Sequence, residues 1–141
     1  MNTPTRAEDL LFGEASEIAN KGLLEKFFGK SLKKREGMAT LDFVDEGNTM
    51  FVELKTRRIR HDAYSTALIG LNKVNDCNKE GITYYFAYCY TDGLYYIRYD
   101  KALFGTFERN HSYTRGSRSD CRNTASAIVY IPITRLKKIE A

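Results

Sequence analysis

Apolar residues recur at helical spacing over the first part of the chain. Between about Ala7 and Phe28 they fall every three or four residues, which predicts one long helix with Gly29 as its terminator. A second stripe along this helix is apolar at both ends and charged in its middle, where Glu14 and Glu17 lie. Beyond Gly29 the apolar positions alternate instead, and such alternation is typical of strands.

Turn residues between alternating runs predict two β-hairpins. The first turns at Gly47-Asn48, between ATLDFVDE and TMFVELKT, and the second turns at Asp92-Gly93. The second hairpin holds seven of the ten tyrosines, between Tyr84 and Tyr99. Tyrosine suits strands, so we expect most of them in the core or on a sheet face. A platform on which unpaired bases stack is the alternative.

A second helix is predicted between the two hairpins, from about Asp62 to Asn78. Asp62 or Ser65 would serve as its N-cap. A helical wheel places Lys73 away from the apolar face, which predicts a surface lysine. The buried face of this helix is predicted to contain Tyr64, Ala67, Leu68, Leu71 and Val74.

The last third of the chain is predicted to be a polar loop followed by a strand. Residues 108–126 lack periodicity, and the apolar run AIVYIPIT follows them. The order helix, strands, helix, strands predicts an α/β fold: a mixed β-sheet of about five strands flanked by helices. Because no linker or repeat divides the chain, residues 1–141 are predicted to form one domain. Its core would lie at about 7–100, and the basic loop and C-terminal strand at about 105–141.

Composition and charge narrow the class of protein. No apolar stretch approaches the ~18 residues that a membrane span needs, and the N-terminal residues do not resemble a signal peptide. Three cysteines without a CxxC motif predict a reduced, intracellular protein without a structural zinc site. Residues 1–54 hold 7 Lys/Arg and 10 Asp/Glu, whereas residues 55–141 hold 15 and 8. An acidic half followed by a basic half fits a protein that binds phosphate and reserves carboxylates for another role.

Two carboxylates are predicted to face each other across the first hairpin. The turn at Gly47-Asn48 places Asp42 opposite Glu53, with Lys55 two residues further along the same face. Like charges in this position repel each other, so stability alone does not explain the pair. A divalent cation such as Mg²⁺ would convert the repulsion into coordination, because hard ions favour carboxylate oxygens. Lys55 could then hold a water or stabilise a charged transition state.

The spacing of these residues resembles a known signature. Asp42, a ten-residue gap and then Glu53-Leu54-Lys55, preceded by a helix that carries glutamates, resembles the PD-(D/E)XK nuclease superfamily. Leu41 stands where many of its members have a proline before the aspartate. The resemblance implies a restriction-endonuclease-like or Holliday-junction-resolvase-like fold with a core of αβββαβ order. That order agrees with the elements predicted over about residues 7–100.

The resemblance also implies a catalytic site. In such enzymes the aspartate and the acid of the (D/E)XK motif bind Mg²⁺, for which Mn²⁺ is a substitute. Asp42 and Glu53 would hold the metal here, with the backbone carbonyl of Leu54 as a further ligand. The lysine of the motif, Lys55, would position or activate the attacking water.

An acidic residue of the first helix often completes the site in this superfamily. Glu17 is favoured for that catalytic and metal-binding role, because it follows Gly13 by four residues, as in nuclease-like resolvases. Glu14 is the alternative. An ion pair between Glu17 and Lys21, one helical turn apart, is the purely structural explanation.

Two basic clusters are candidates for binding the backbone of a nucleic acid. Arg57, Arg58 and Arg60 leave the end of the predicted catalytic strand, and arginine forks suit phosphate oxygens. Arg115 and Arg118 lie in the polar loop, which could cover the substrate groove. A solvated basic loop is the alternative for the first cluster.

These features predict a Mg²⁺-dependent endo- or exonuclease that hydrolyses phosphodiester bonds of DNA. Structure-selective cleavage, of the repair or recombination type, is the finer hypothesis. A non-catalytic nucleic-acid-binding module with a nuclease-like fold is the main alternative, and an RNA-binding sheet and an interaction scaffold stay open. The pattern does not decide the substrate structure, the sequence specificity, or whether two copies form a homodimer.

Overall fold

The structure, a computed structural model, describes residues 6–36, 41–114 and 125–140, with side chains for residues 17–36, 41–111 and 127–140. Its helices are α1 (Arg6–Phe28), α2 (Leu71–Asn75) and α3 (Lys101–Phe104), with a 3-10 helix at Ile133–Arg135. Its strands are β1 (Leu32–Lys34), β2 (Phe43–Asp45), β3 (Met50–Thr56), β4 (Thr66–Gly70), β5 (Thr83–Tyr90), β6 (Gly93–Arg98), β7 (Arg109–Thr114), β8 (Ala125–Pro132) and β9 (Lys137–Lys138).

The first helix ends where the sequence predicts. Gly29 adopts a φ of 66°, and its N–H donates to the Glu25 carbonyl at 2.8 Å. Glycine enters this left-handed region without the steric strain of a Cβ atom, so the helix terminates there. The Glu25 carboxylate then accepts a hydrogen bond from the Leu32 N–H at 2.8 Å. This bond ties the end of α1 to the first strand.

A six-stranded mixed sheet has the order β1-β2-β3-β5-β6-β9. Among its described strands only β3 and β5 pair in parallel, and all other neighbours are antiparallel. Two hairpins joined by a crossover produce this arrangement. The predicted α/β fold with a mixed sheet is therefore confirmed. Both predicted hairpins are present, because Phe43 pairs with Val52 in the first and Tyr90 pairs with Gly93 in the second.

Asp45 holds the turn of the first hairpin. Its carboxylate accepts hydrogen bonds from the N–H groups of Thr49 at 2.7 Å and Met50 at 3.0 Å, and Lys30 Nζ lies 3.3 Å away. Burial opposes ionisation, but the hydrogen bonds from Thr49 and Met50 outweigh it and lower the Asp45 pKa to about 2. The charged side chain thus secures the register of β2 against β3.

The predicted helix from Asp62 to Asn78 is wrong over most of its length. Thr66–Gly70 form β4, which pairs antiparallel with β8, and helical structure is confined to Leu71–Asn75. Ala67 and Ile69 are buried and alternate with less buried neighbours, so this stretch fits a strand as well as a helix. The distant strand β8 decides between the two, because it supplies the hydrogen bonds of a sheet.

The predicted cap and buried face of that helix are corrected with it. Gly70 is the N-cap of α2, in place of Asp62 or Ser65. Tyr64, predicted to be buried, is 68% exposed. The crossover from β3 to β5 thus consists of a loop, a strand and a short helix.

A second sheet has the order β4-β8-β7. The strand β7, Arg109–Thr114, and the start of β8 at Ala125 correct the prediction of a polar loop at both of its ends. Residues 115–124 lie outside the described residues. The predicted nucleic-acid contacts of Arg115 and Arg118 therefore lie outside them as well.

Two apolar cores lie on opposite faces of the six-stranded sheet. Met50 and Val52 of β3 pack with Leu24 of α1 in one core. Phe51 packs with the other core, which joins the six-stranded sheet to β4 and β8. Side chains alternate along a strand, so Glu53 shares the second face with Phe51.

Candidate active site

Asp42 and Glu53 meet beside the first hairpin, at the end away from its turn. Asp42 immediately precedes β2, and its Oδ2 accepts a hydrogen bond from the Leu54 N–H at 2.9 Å. This bond holds the Asp42 carboxyl against β3, within hydrogen-bonding reach of the Glu53 carboxyl. The geometry thus brings together the two acids that the turn position predicts to be neighbours.

Glu53 is buried and has an unusual affinity for a proton. Only 2% of its surface is exposed. Burial and the adjacent Asp42 carboxyl raise its pKa from 4.5 to about 7, against the opposing effect of Lys73 and Lys55. Its buried Oε1 has no hydrogen-bond partner in the part of the chain whose side chains are described. Because an unsatisfied buried acceptor is unfavourable, this oxygen is suited to a proton or a cation.

Two lysines approach the other oxygen of Glu53. Lys73 Nζ lies 2.9 Å from Glu53 Oε2, and Lys55 Nζ lies 3.9 Å from it. Burial lowers the Lys55 pKa, and the charge of Glu53 partly offsets this effect. Lys55 therefore places a positive charge beside the acid pair and releases its proton more readily than an ordinary lysine.

The position of Lys73 corrects the prediction of a surface lysine. The prediction depended on a helical wheel through a helix that the structure does not contain. In the structure α2 begins only at Leu71, and it directs Lys73 to the face of the sheet that carries Glu53. The available signal was topological: a lysine in the crossover between two parallel strands lies over one face of their sheet.

Comparison with known families places this arrangement among the nucleases. A family model described as "Phage putative PDDEXK endonuclease" matches residues 13–139. The chain belongs to this PDDEXK endonuclease family. The match extends from α1 to β9, well beyond the first hundred residues to which the sequence resemblance applied. A search of the curated proteins finds no match.

Membership of the PDDEXK family confirms the superfamily that the Asp42–Lys55 signature predicts. It also agrees with the predicted class of enzyme, a nuclease. Among the described helices of this PDDEXK chain, none has the length and apolar character needed to cross a membrane.

Glu17 of the PDDEXK chain contacts a different part of the structure. Its Oε2 lies 3.0 Å from Lys34 Nζ, so Lys34 is its observed partner, whereas the purely structural alternative named Lys21. Lys34 lies two residues after Leu32, which packs in the core beneath α1. The Glu17–Lys34 pair is therefore on the α1 face, opposite to Glu53. A metal-binding role of Glu17 stays a prediction, and the side chain of Glu14 lies outside those described.

The arginines that follow β3 divide into two groups. Arg57 and Arg58 are exposed, and the Arg57 N–H continues the sheet by donating to the Cys89 carbonyl at 2.8 Å. Arg60 is engaged with carboxylates: it lies 3.2 Å from Asp62 and 3.5 Å from Asp92. Arg57 thus lies next to Lys55 in the direction of the strand, whereas Arg60 belongs to a separate ion-pair network.

That network includes a group of metal-binding type. His61, Asp62 and Asp92 bring one ligand atom each within 4.8 Å of one another. The His61 imidazole contacts Asp92 through Nδ1 and stacks on Tyr95, with ring centroids 4.5 Å apart. Hydrogen bonds from His61 outweigh the effect of burial and lower the Asp92 pKa to about 2. Arg60 forms ion pairs with both carboxylates and offsets part of their negative charge.

The tyrosine-rich hairpin serves mainly as core. Tyr84, Tyr88, Tyr90 and Tyr95 are buried. Others pack against α1, as Tyr85 does on Phe28 with ring centroids 4.5 Å apart. These contacts agree with the expectation that most of the tyrosines stabilise the fold.

Proposed function

We propose that this PDDEXK chain is a divalent-metal-dependent nuclease that hydrolyses phosphodiester bonds of DNA, with Asp42 and Glu53 as the metal ligands. The observation that supports this most directly is the buried Oε1 of Glu53, which lies beside a second carboxylate and has no hydrogen-bond donor among the described side chains. Two acids with one raised pKa can share a proton, or both can ionise around a cation.

The chemistry of the donors fits a hard cation. Carboxylate oxygens of Asp42 and Glu53 are the ligands that Mg²⁺ or Mn²⁺ prefers. The Leu54 N–H points toward Asp42, and the N–H and C=O of one strand residue lie on the same side of the strand. The Leu54 carbonyl is therefore on the Asp42 side, where we place it as a third ligand. When bound, the cation would polarise the phosphate and favour ionisation of a water.

The two lysines have separate roles in this proposal. In hydrolysis a water oxygen bonds to phosphorus, the ester P–O bond breaks and the leaving oxygen takes up a proton. Lys55, with its lowered pKa, would orient the water and offset the negative charge that builds up on the phosphate. Lys73, at 2.9 Å, would hold Glu53 in its ionised and correctly oriented form.

Further parts of the chain contribute binding in this proposal. Arg57 and Arg58 are exposed at the end of β3 and would contact phosphates next to the scissile one. The chain forms a single nuclease domain in this proposal. The pairing of β9 with β6 supports this, because the C-terminal segment adds a strand to the sheet that carries Glu53. Cleavage selective for flaps or junctions, as in repair or recombination, is the finer form of the hypothesis.

We expect the wild-type protein to cut DNA with Mg²⁺ or Mn²⁺ and to leave it intact with EDTA, because two facing carboxylates need a cation to bind a phosphate. Labelled single-stranded, duplex, flapped and four-way-junction DNA, with a matched RNA, would be incubated with each metal. The ranking of the substrates then defines the selectivity. Metal-dependent binding without cutting would favour the non-catalytic module, and cutting in EDTA would contradict the proposal.

Replacing Lys73 with methionine should reduce cleavage about 10- to 100-fold, the effect typical of residues that orient a metal ligand. Lys73 lowers the Glu53 pKa, so its removal raises that pKa above about 7. The loss of cleavage activity in this variant should therefore be larger at pH 6 than at pH 8.5, as measured by a pH–rate profile. Lys79→Met, an exposed neighbour of α2, is the matched control. An unchanged profile in the Lys73 variant would remove Lys73 from the site.

A further inference from the structure

Arg35 occupies a position that the sequence does not reveal. It follows β1, and its N–H donates to the Asp42 carbonyl at 2.7 Å. Its guanidinium lies over the ring of Phe51, 5.0 Å from the centroid. That ring also stacks on Tyr84, with centroids 5.7 Å apart and an angle of 20° between the planes. Backbone and side chain thus both fix Arg35 next to the residues that carry the acid pair.

The strand β3 relates Arg35 to the site. Phe51, Glu53 and Lys55 alternate onto the same face, and each step of two residues covers about 6.7 Å. Arg57 continues this series beyond Lys55. A positive charge therefore flanks Glu53 on both sides along the strand: Arg35 above Phe51, and Lys55 with Arg57 in the other direction.

The charge of Arg35 has no counterpart within the protein as described. Over residues 17–36, 41–111 and 127–140, no carboxylate forms an ion pair with it. A guanidinium held over the face of an aromatic ring can still donate its N–H groups to an acceptor. Half-buried and without an anion, Arg35 is suited to bind a group with two acidic oxygens, such as a phosphate.

We propose that Arg35 binds a phosphate of the nucleic-acid substrate one or two nucleotides from the scissile phosphate, on the side of Glu53 away from Arg57. The offset of about 6.7 Å along β3 corresponds to about two steps of a strand whose charges repeat every 3.4 Å along the axis. This inference rests on the proposed nuclease function. It assigns a backbone contact that positions the strand without reading its sequence.

The salt dependence of binding tests this assignment. In the Glu53→Gln background, which is expected to bind without cutting, Arg35→Ala should weaken binding of a duplex about tenfold. The slope of log K against log salt should decrease in magnitude by about one, since one phosphate contact is lost. Arg35→Lys should keep the slope and lose part of the affinity. Arg98→Ala, an exposed arginine on the α1 face, is the matched control and should leave both unchanged.

Neutral phosphates locate the contact. A series of substrates is prepared, each with a single methylphosphonate at a different position around the cut. The affinity of each substrate is then measured for the protein with Arg35 and for Arg35→Ala. One position, one or two nucleotides from the cut, should weaken binding when Arg35 is present and have no effect in Arg35→Ala. If Arg35 only supports Phe51, the variant melts at a lower temperature with an unchanged salt slope, which would overturn the assignment.

The outcomes separate this inference from the proposed function. If the wild-type protein binds and cuts DNA, and Arg35→Ala shows an unchanged salt slope and methylphosphonate response, the phosphate contact of Arg35 is ruled out and the nuclease function stands. A wild-type protein that neither binds nor cuts nucleic acid would rule out both the contact and the proposed function. A slope smaller in magnitude by about one and the loss of one methylphosphonate effect, with Arg98→Ala unaffected, would establish the phosphate site.

Discussion

Glu53→Gln is expected to lower metal-dependent cleavage of DNA by about a thousandfold or more. Glutamine keeps the size of the side chain but removes the charge that a cation needs beside Asp42. A bound metal supplies several kcal/mol of stabilisation to a phosphoryl transition state, and about 4 kcal/mol corresponds to three orders of magnitude in rate.

The measurement is a single-turnover rate on the substrate that the wild type cuts fastest, with saturating Mg²⁺. Glu46→Gln serves as the matched control, since Glu46 is an exposed acid in the turn of the same hairpin and should retain wild-type activity. A Glu53→Gln protein that remains folded and cuts within tenfold of the wild type would contradict the assignment of Glu53 as a metal ligand. The chain would still belong to the family, but the metal site would have to be sought among other residues.

The same substitution should stabilise the metal-free protein at neutral and alkaline pH. The folded state raises the Glu53 pKa from 4.5 to about 7, so between these values the folded state holds a proton that the unfolded state has lost. The free energy of unfolding therefore falls as pH rises through this window. The stabilising contribution of protonated Glu53 is fully present below about pH 4.5 and is lost as pH rises through about 7. This difference in the Glu53 pKa between the unfolded and the folded state corresponds to about 3 kcal/mol of unfolding free energy.

Glutamine mimics the neutral acid at every pH and removes this dependence. Relative to the wild type, Glu53→Gln should gain about 3 kcal/mol of unfolding free energy between pH 4 and pH 8. Denaturant unfolding in EDTA across that range measures the difference. Asp45, with its pKa lowered to about 2, changes its contribution to the unfolding free energy only below this pH range, so it does not interfere with the measurement. A difference that is independent of pH would show that Glu53 is not strained in its ionised form.

Both predictions follow from one feature of the site. Glu53 is held in a position that disfavours its charge, and a site that binds a cation requires that charge. Stability is commonly sacrificed at functional sites in this way. Activity lost and stability gained in the same variant would therefore be stronger support for a metal site than either result alone.

The local pattern of the sequence was sufficient for the elements that carry the motif. The helix up to Phe28 and both hairpins follow from apolar spacing and turn residues, which act over a few neighbours. The turn at Gly47-Asn48 determined the register of Phe43 with Val52, and that register brings Asp42 to Glu53. The acid pair could be predicted because a hairpin is a local structure.

Only the tertiary structure decided the features that depend on distant residues. Residues 66–70 are compatible with helix or strand, and pairing with β8, which is far away in sequence, selects the strand. Lys73 contacts Glu53 because the crossover from β3 to β5 passes over the face of the sheet that carries Glu53. Arg60 forms an ion pair with Asp92 of the second hairpin. The raised pKa of Glu53 likewise comes from burial between layers. Spacing along the chain determined which groups are present, whereas packing determined which of them meet and how strongly they hold their protons.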